Sequence, residues 1–300
     1  MKINFLSFLT AVAMISLTSC GGGSQAPSAI SDSSMSSGNG LPTPAPSSSD
    51  KPGWTLVWSD EFEVNGLPDP TKWAYDTARN RAGWYNNEKQ YYAANRLENS
   101  RVENGQLIIT ARKERLVSAP DYGGQDYTSA RLVTRGLASW TYGFFEIRAK
   151  LPCGQGTWPA IWTLGVGGPQ GMVWPDDGEI DIMEFVGSKP SEVFATVHNK
   201  KYNWQGGIRP TSSSASIADA CSTFHNYQLT WTPEKISIGV DDRIYFNYLN
   251  PKNGDLQAWP FDKPQYLLLN IAIGGDLGGK VNDSIFPVEF QIEHVRVYKN

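Results

Sequence analysis

Gly178-Glu179-Ile180-Asp181-Ile182-Met183-Glu184-Phe185-Val186 sets three acids into an otherwise apolar, strand-like segment. A buried sheet strand rarely tolerates this, because each unpaired carboxylate is costly to remove from water. Strict alternation puts Glu179, Asp181 and Met183 on one face and Glu184 on the other. One extra residue, a β-bulge near Met183, turns Glu184 back beside the other two acids. Glu179 and Glu184 then stand like residues i and i+4, about 13 Å apart at Cα. Carboxylates leaning together over that span approach the ~5–5.5 Å separation of retaining glycosidases. Asp181 between them is suited to hydrogen-bond a neighbour and help keep the two glutamates in different protonation states. Two other readings compete. An edge strand with solvated acids would not intersperse Ile180, Ile182, Phe185 and Val186 so consistently. A metal site would draw on His198, His225 and His294, the only histidines, and zinc-type spacing is missing.

The flanking sequence supplies a sheet for that strand. Leu107–Ala111, Ala130–Thr134, Gly143–Leu151, Val193–His198, Tyr227–Thr232, Lys235–Val240, Arg243–Tyr248 and Val288–Tyr298 read as short strands separated by Gly, Pro, Asn and Asp. In Phe144–Lys150 the polar Glu146, Arg148 and Lys150 alternate with apolar partners, which is period 2 with one face buried. Asp241-Asp242 reads as a hairpin turn. No long segment keeps a 3.6-residue period, so the expectation is an all-β fold, an antiparallel sandwich or jelly roll with a concave cleft.

Composition narrows the function. The chain has 300 residues, 19% charged, with a formal net charge of −4, which argues against a nucleic-acid partner. Its 11 Trp all fall at or after Trp54, so aromatic stacking surface is concentrated in one part of the chain. Before it, Lys2 precedes an apolar stretch, Ile3 to Leu17, that ends in Leu17-Thr18-Ser19-Cys20. This reads as an export signal over 1–20, and its ending resembles a bacterial lipobox with Cys20 as the lipidated residue. An ordinary secretory signal and an uncleaved anchor are the alternatives. Residues 21–53 are Ser, Gly, Pro and Ala with almost no large apolar side chain, a flexible linker. The folded domain is expected over 54–300, lipid-anchored to a bacterial membrane, outer membrane or cell surface. In an exported protein Cys153 and Cys221 are a candidate disulfide.

Motifs in order along the chain add a family. Glu179-Ile180-Asp181-Ile182-Met183-Glu184 resembles the active-site strand of family-16 glycoside hydrolases. So do Trp58-Ser59-Asp60-Glu61-Phe62, Trp84-Tyr85-Asn86-Asn87-Glu88, Trp158-Pro159-Ala160-Ile161-Trp162, Leu269–Gly275 and Val295-Arg296-Val297-Tyr298. The extra Met183 is similar to the laminarinase branch. The resemblance implies a β-jelly roll and retaining endo-hydrolysis of β-1,3-glucosidic bonds in laminarin-type or mixed-linkage β-glucan. It implies Glu179 as nucleophile, Asp181 as its modulator and Glu184 as acid/base, with no cofactor for catalysis and a monomer.

The same resemblance bears on the sugar. Trp158, Ala160, Trp162 and Leu164 share one face of an alternating segment, and sugars stack their C–H faces on indole. The residues alone leave core and cleft evenly balanced for Trp158 and Trp162, and the resemblance favours the cleft. Trp174, close before the acid strand, is a third platform. Asn86 and Arg131 match positions that hydrogen-bond the glucan near the nucleophile, against turn-residue and surface-charge readings. His198 matches a residue near the leaving-group sugar, against a structural role, while His225 and His294 read as structural. Leu277 stands close to where many laminarinases carry Trp. A structural Ca²⁺ is implied at Glu61, Glu293 and the carbonyl of Gly105, with Glu293 where Asp is usual. The rival classes are a non-catalytic surface glycan-binding protein and a family relative acting on another galactan such as agarose.

Overall fold

Alternation along the chain resolves into two stacked sheets. The computed structural model describes residues 51–169, 171–205 and 208–300. The expected signal, Cys20 and the linker up to residue 50 lie outside the described residues. One sheet has seven strands in the order Thr211–Ser216, Glu192–His198, Glu179–Phe185, Thr157–Gly165, Gln265–Ile273, Arg131–Val133 and Ala74–Tyr75. The other has ten, with Gly143–Lys150 and Val288–Lys299 paired near its middle. The strand pairs are antiparallel except Gln90–Tyr92, which runs parallel to Tyr127–Ser129. This is the expected all-β jelly-roll architecture, and the acid strand lies inside the seven-stranded sheet with a neighbour on each side.

Period 2 decides what fills the space between the sheets. From Gly143–Lys150 come Phe145, Ile147 and Ala149, which join Ile161, Ile180, Leu267, Leu269 and Ile271 of the facing sheet in one apolar cluster. The polar row on the other side of that strand is less solvated than its sequence suggests. Glu146 is buried, with Lys51 Nζ at 2.6 Å and Gln228 Nε2 donating to it at 2.8 Å. Lys51 also lies 4.4 Å from the centre of the Phe144 ring. The Trp54 amide donates to the Lys51 carbonyl at 2.9 Å, so residues 51–53, read as the end of the linker, already form a turn on the domain.

Local chemistry explains the hairpin and the one strand that alternation misses. Asp241 and Asp242 have φ of 49° and 63°, the left-handed pair that a tight hairpin turn between Lys235–Val240 and Arg243–Leu249 requires. Thr211–Ser216 has one apolar residue in six, yet it pairs along its length with Glu192–His198. Its hydroxyl side chains sit at a sheet edge, where backbone pairing rather than apolar burial holds the strand.

Cys153 and Cys221 form a disulfide with Cα atoms 5.7 Å apart, closing a loop across 68 positions. The loop spans the acid strand and both of its neighbours. Chain-entropy arguments for a loop of that size give about 4 kcal/mol. Cys221→Ser is expected to lower the free energy of urea unfolding by about that amount. An unchanged unfolding midpoint would remove the bridge as a stabilising element.

Candidate active site

Gly178 opens the acid strand because nothing else fits there. Its φ is 80°, and a Cβ would fall 2.7 Å from the Phe261 ring. The strand then runs Glu179–Phe185 and slips register once. Against Thr157–Gly165 the shift lies between Asp181 and Met183, and against Glu192–His198 between Asp181 and Glu184. That bulge sends Ile182 and Met183 together into the core. It turns Asp181 and Glu184 onto the opposite face with Glu179. The bulge lies where the spacing of the acids placed it.

The carboxylates meet different surroundings. The Trp174 indole N–H donates to Glu179 Oε2 at 2.6 Å, and the Trp158 indole N–H to Glu184 Oε1 at 3.0 Å. Asp181 is buried, and His198 Nε2 lies 3.3 Å from its Oδ2. Burial pushes the Asp181 carboxyl well above the usual carboxylate range, and the charges of Glu179 and Glu184 push the same way. Both influences favour the protonated form of Asp181, in which it would donate a hydrogen bond to Glu179. Burial also raises Glu184. The charge of His198 and the Trp158 hydrogen bond oppose that rise, Glu179 adds to it, and a hydrogen bond from Thr196 opposes it. A carboxyl held high in this way suits a group that must carry a proton near neutral pH.

Three tryptophans read as sugar platforms all lie half-buried on this side of the sheet, whereas Trp73, Trp84, Trp140, Trp231 and Trp259 are core. Trp162 is fixed by its own N–H, which donates to Asn270 Oδ1 at 2.7 Å, while Asn270 Nδ2 donates to the Tyr92 hydroxyl at 3.0 Å. Arg131 is not a surface charge. It is buried, 3.3 Å from Asp76, with its guanidinium 4.6 Å from the Trp162 ring centre and 5.2 Å from that of Trp84. Asn86 is exposed at φ 56°, so it serves as a turn residue, and its Nδ2 reaches Glu88 Oε1 at 3.5 Å. His225 is held between Asp219 and Asp241 at 3.1 and 2.6 Å, and His294 lies 3.7 Å from Glu146, as structural residues.

The residues read as a Ca²⁺ site are otherwise engaged. Arg296 donates to both carboxylate oxygens of Glu61 at 2.9 and 2.8 Å, and Arg148 donates to Glu293 at 2.6 Å. A cation there would have to displace two guanidinium groups, so the arrangement does not fit one as it stands. Among the described residues, the acidic and histidine side chains close enough to share a metal are instead Glu179, Asp181 and His198, with ligand atoms within 4.8 Å of one another.

The sequence profile of glycosyl hydrolases family 16 matches residues 87–284. The chain belongs to this family. It is 51% identical over 259 residues to a β-glucanase of Rhodothermus marinus, covering 84% of this chain and 87% of that one. The X-ray structure of the laminarinase from Rhodothermus marinus superposes with a TM-score of 0.76 at 50% identity, covering 82% and 97% of the two chains. SCLam, a non-specific endo-β-1,3(4)-glucanase of family 16 crystallised with a glucan oligosaccharide, gives a TM-score of 0.80 at 51% identity over 83% and 96%.

In this family-16 chain, sequence reasoning missed the contacts that cross the fold. Asn270 and Tyr92 are separated by 178 positions. Asn270 was visible only as part of a motif, and Tyr92 had no distinguishing neighbour. Glu88, in the Asn86 turn, accepts from Gln90 Nε2 at 2.8 Å, and its carboxyl is pushed up by burial. Leu277 is 44% exposed on the one-turn helix Gly275–Gly278, which Asn87 holds through Asp276 at 2.7 Å. No indole stands there.

Trp158 gives a pH test. A group that must hold its proton loses activity as pH rises through its pKa. The Trp158 N–H favours the carboxylate form of Glu184, so Trp158→Phe raises that pKa. The alkaline limb of the kcat/KM profile is expected to move to higher pH, with the acid limb in place. A limb that stays put or moves down would separate Trp158 from Glu184.

Proposed function

We propose that this protein is a retaining endo-β-1,3(4)-glucanase in which Glu179 is the nucleophile and Glu184 the acid/base. The observation that carries the reading is the bulged strand, which puts both glutamates and Asp181 on one face, each glutamate with its own indole donor. In the first step Glu184 gives its proton to the glycosidic oxygen while Glu179 attacks the anomeric carbon. The leaving sugar departs and a covalent glycosyl-enzyme forms. In the second, the Glu184 carboxylate takes a proton from water as the water oxygen attacks the same carbon. Glu179 is released and the configuration is retained. Protonated Asp181 supports Glu179 as it gains and sheds the sugar. Two carboxyls complete this cycle, and no cofactor enters it.

An uncharged glucan suits the site. A sulfated glycan calls for free cations, and Arg131 is already paired with Asp76 and packed between Trp84 and Trp162. Trp158, Trp162 and Trp174 supply the stacking faces, with Asn86 at the margin and His198 beside Asp181.

Glu184→Gln is expected to lower laminarin hydrolysis about 10²–10⁴-fold, the usual worth of a general acid–base group. Glu179→Ala should abolish turnover, and added azide should then give the α-glycosyl azide from an activated aryl substrate. Near-wild-type rates in either variant would sink the assignment. Product analysis on laminarin, lichenan, agarose and κ-carrageenan fixes the substrate class.

We also propose that Cys20 is the lipidated residue of an exported form. The support is the apolar stretch ending at Cys20 and the Gly/Ser/Pro sequence after it. Cys20→Ala is expected to move the protein from the membrane fraction to the soluble fraction of the producing cells. An unchanged distribution would reject the anchor.

A further inference from the structure

The site face continues past the acid strand onto strands that the mechanism has not used. In Glu192–His198, Val193, Ala195 and Val197 point into the core. Phe194, Thr196 and His198 therefore share the face of the catalytic acids. Phe194 is the direct Cα partner of Glu184. Its ring is half-buried, belongs to neither apolar cluster and meets no other aromatic ring among the described residues. What covers it is the Lys189 ammonium, 5.4 Å from the ring centre on a side chain that is 61% exposed.

Beyond Phe194 the surface turns to hydroxyls. Paired residues on neighbouring strands share a face. Ser212 stands beside Thr196, Ser214 beside Phe194 and Ser216 beside Glu192. All three serines are exposed, and Ser212 is hydrogen-bonded to Thr196 at 3.1 Å. A shallow, open depression lies beyond Phe194, which is not part of its lining, and Lys189, Glu192, Ser214 and Ser216 border it. An aromatic face ringed by hydroxyls and one ion pair is the chemistry that takes up a neutral sugar.

The two halves of the face are unequal, and the inequality assigns them. On the Thr157–Gly165 side, Trp162, Asn270, Tyr92, Arg131 and Asp76 form a linked polar and aromatic network that suits the sugar to be held covalently. On the other side, beyond buried Thr196 and His198, are the Phe194 ring and solvated serines, a surface from which a product can depart. Resting on the glucanase reading above, we propose that Phe194, flanked by Ser214, is the platform for the sugar beyond the scissile bond. By microscopic reversibility the same surface receives an acceptor sugar. In that transfer an acceptor hydroxyl oxygen attacks the anomeric carbon in place of water, Glu184 takes its proton, and the bond to Glu179 breaks.

Partition of the glycosyl-enzyme tests this free of any general loss of rate. With an aryl β-laminaribioside as donor and laminaribiose as added acceptor, the ratio of transfer to hydrolysis reads how well the acceptor is bound and positioned relative to water. Phe194→Ala is expected to lower that ratio about 3- to 10-fold, the worth of one aromatic stacking contact. Phe194→Tyr, which keeps the ring, should restore it to within about twofold. A ratio unchanged in Phe194→Ala overturns the proposal even if the overall rate falls, because the ring then serves only the strand. Wild-type protein that hydrolyses the donor but transfers nothing to the acceptor overturns it as well and leaves the glucanase reading standing. Wild-type protein inert toward laminarin and the aryl donor removes that reading, and this one with it.

Discussion

A strand in a sheet must send successive side chains to opposite faces, and Glu179–Phe185 obeys this with one slip. The slip is the constraint on which the rest depends. Without it, Glu184 would point among Ile161, Leu269 and their neighbours, while Met183 would stand among the acids. With it, Ile182 and Met183 both contribute to the space between the sheets and three carboxyls gather outside. One inserted residue thus satisfies the core and builds the chemistry together. The bulge is protected by position, since the strand is hydrogen-bonded on both sides and cannot re-register without shifting two neighbours.

Gathering three acids has an electrostatic cost that the site meets in different ways. Burial and the charges of Glu179 and Glu184 disfavour the carboxylate form of Asp181, deepest of the three, which limits the charge gathered in the cluster. Each glutamate receives an indole N–H, and His198 sits against Asp181. In the proposed reading Trp158 and Trp174 act twice, through the N–H toward the acids and through the ring toward a sugar. That double use ties substrate contact to the protonation of the catalytic pair. A sugar that moves the Trp158 ring also moves the donor on Glu184.

How much of this was legible depended on range. The bulge could be read from a count within nine residues, because only one arrangement put all three acids together. That Trp158 and Trp162 share a face followed from alternation within one strand, while their placement at a cleft rested on the family resemblance. The N–H directions did not, since a residue name carries no rotamer. Glu146 read as a surface acid because its partners, Lys51 and Gln228, lie 95 and 82 positions away. Thr211–Ser216 carries no apolar period, so nothing in its composition marks it as a strand. Arg131 could be matched to a glucan-binding position, but not to Trp84, Trp162 and Asp76, which only the fold brings around it. Local spacing wrote the reactive strand, and contacts across the fold wrote its support.

Lys51, at the start of the domain, is seated on Glu146 and Phe144 of the ten-stranded sheet. The first strand, Thr55–Asp60, is paired with the last, Val288–Lys299, in that same sheet. The two ends of the described domain are thus fastened to each other within one sheet. The acid strand belongs to the other sheet. Fraying at that end of the domain therefore loosens strands that do not set the spacing of Glu179 and Glu184.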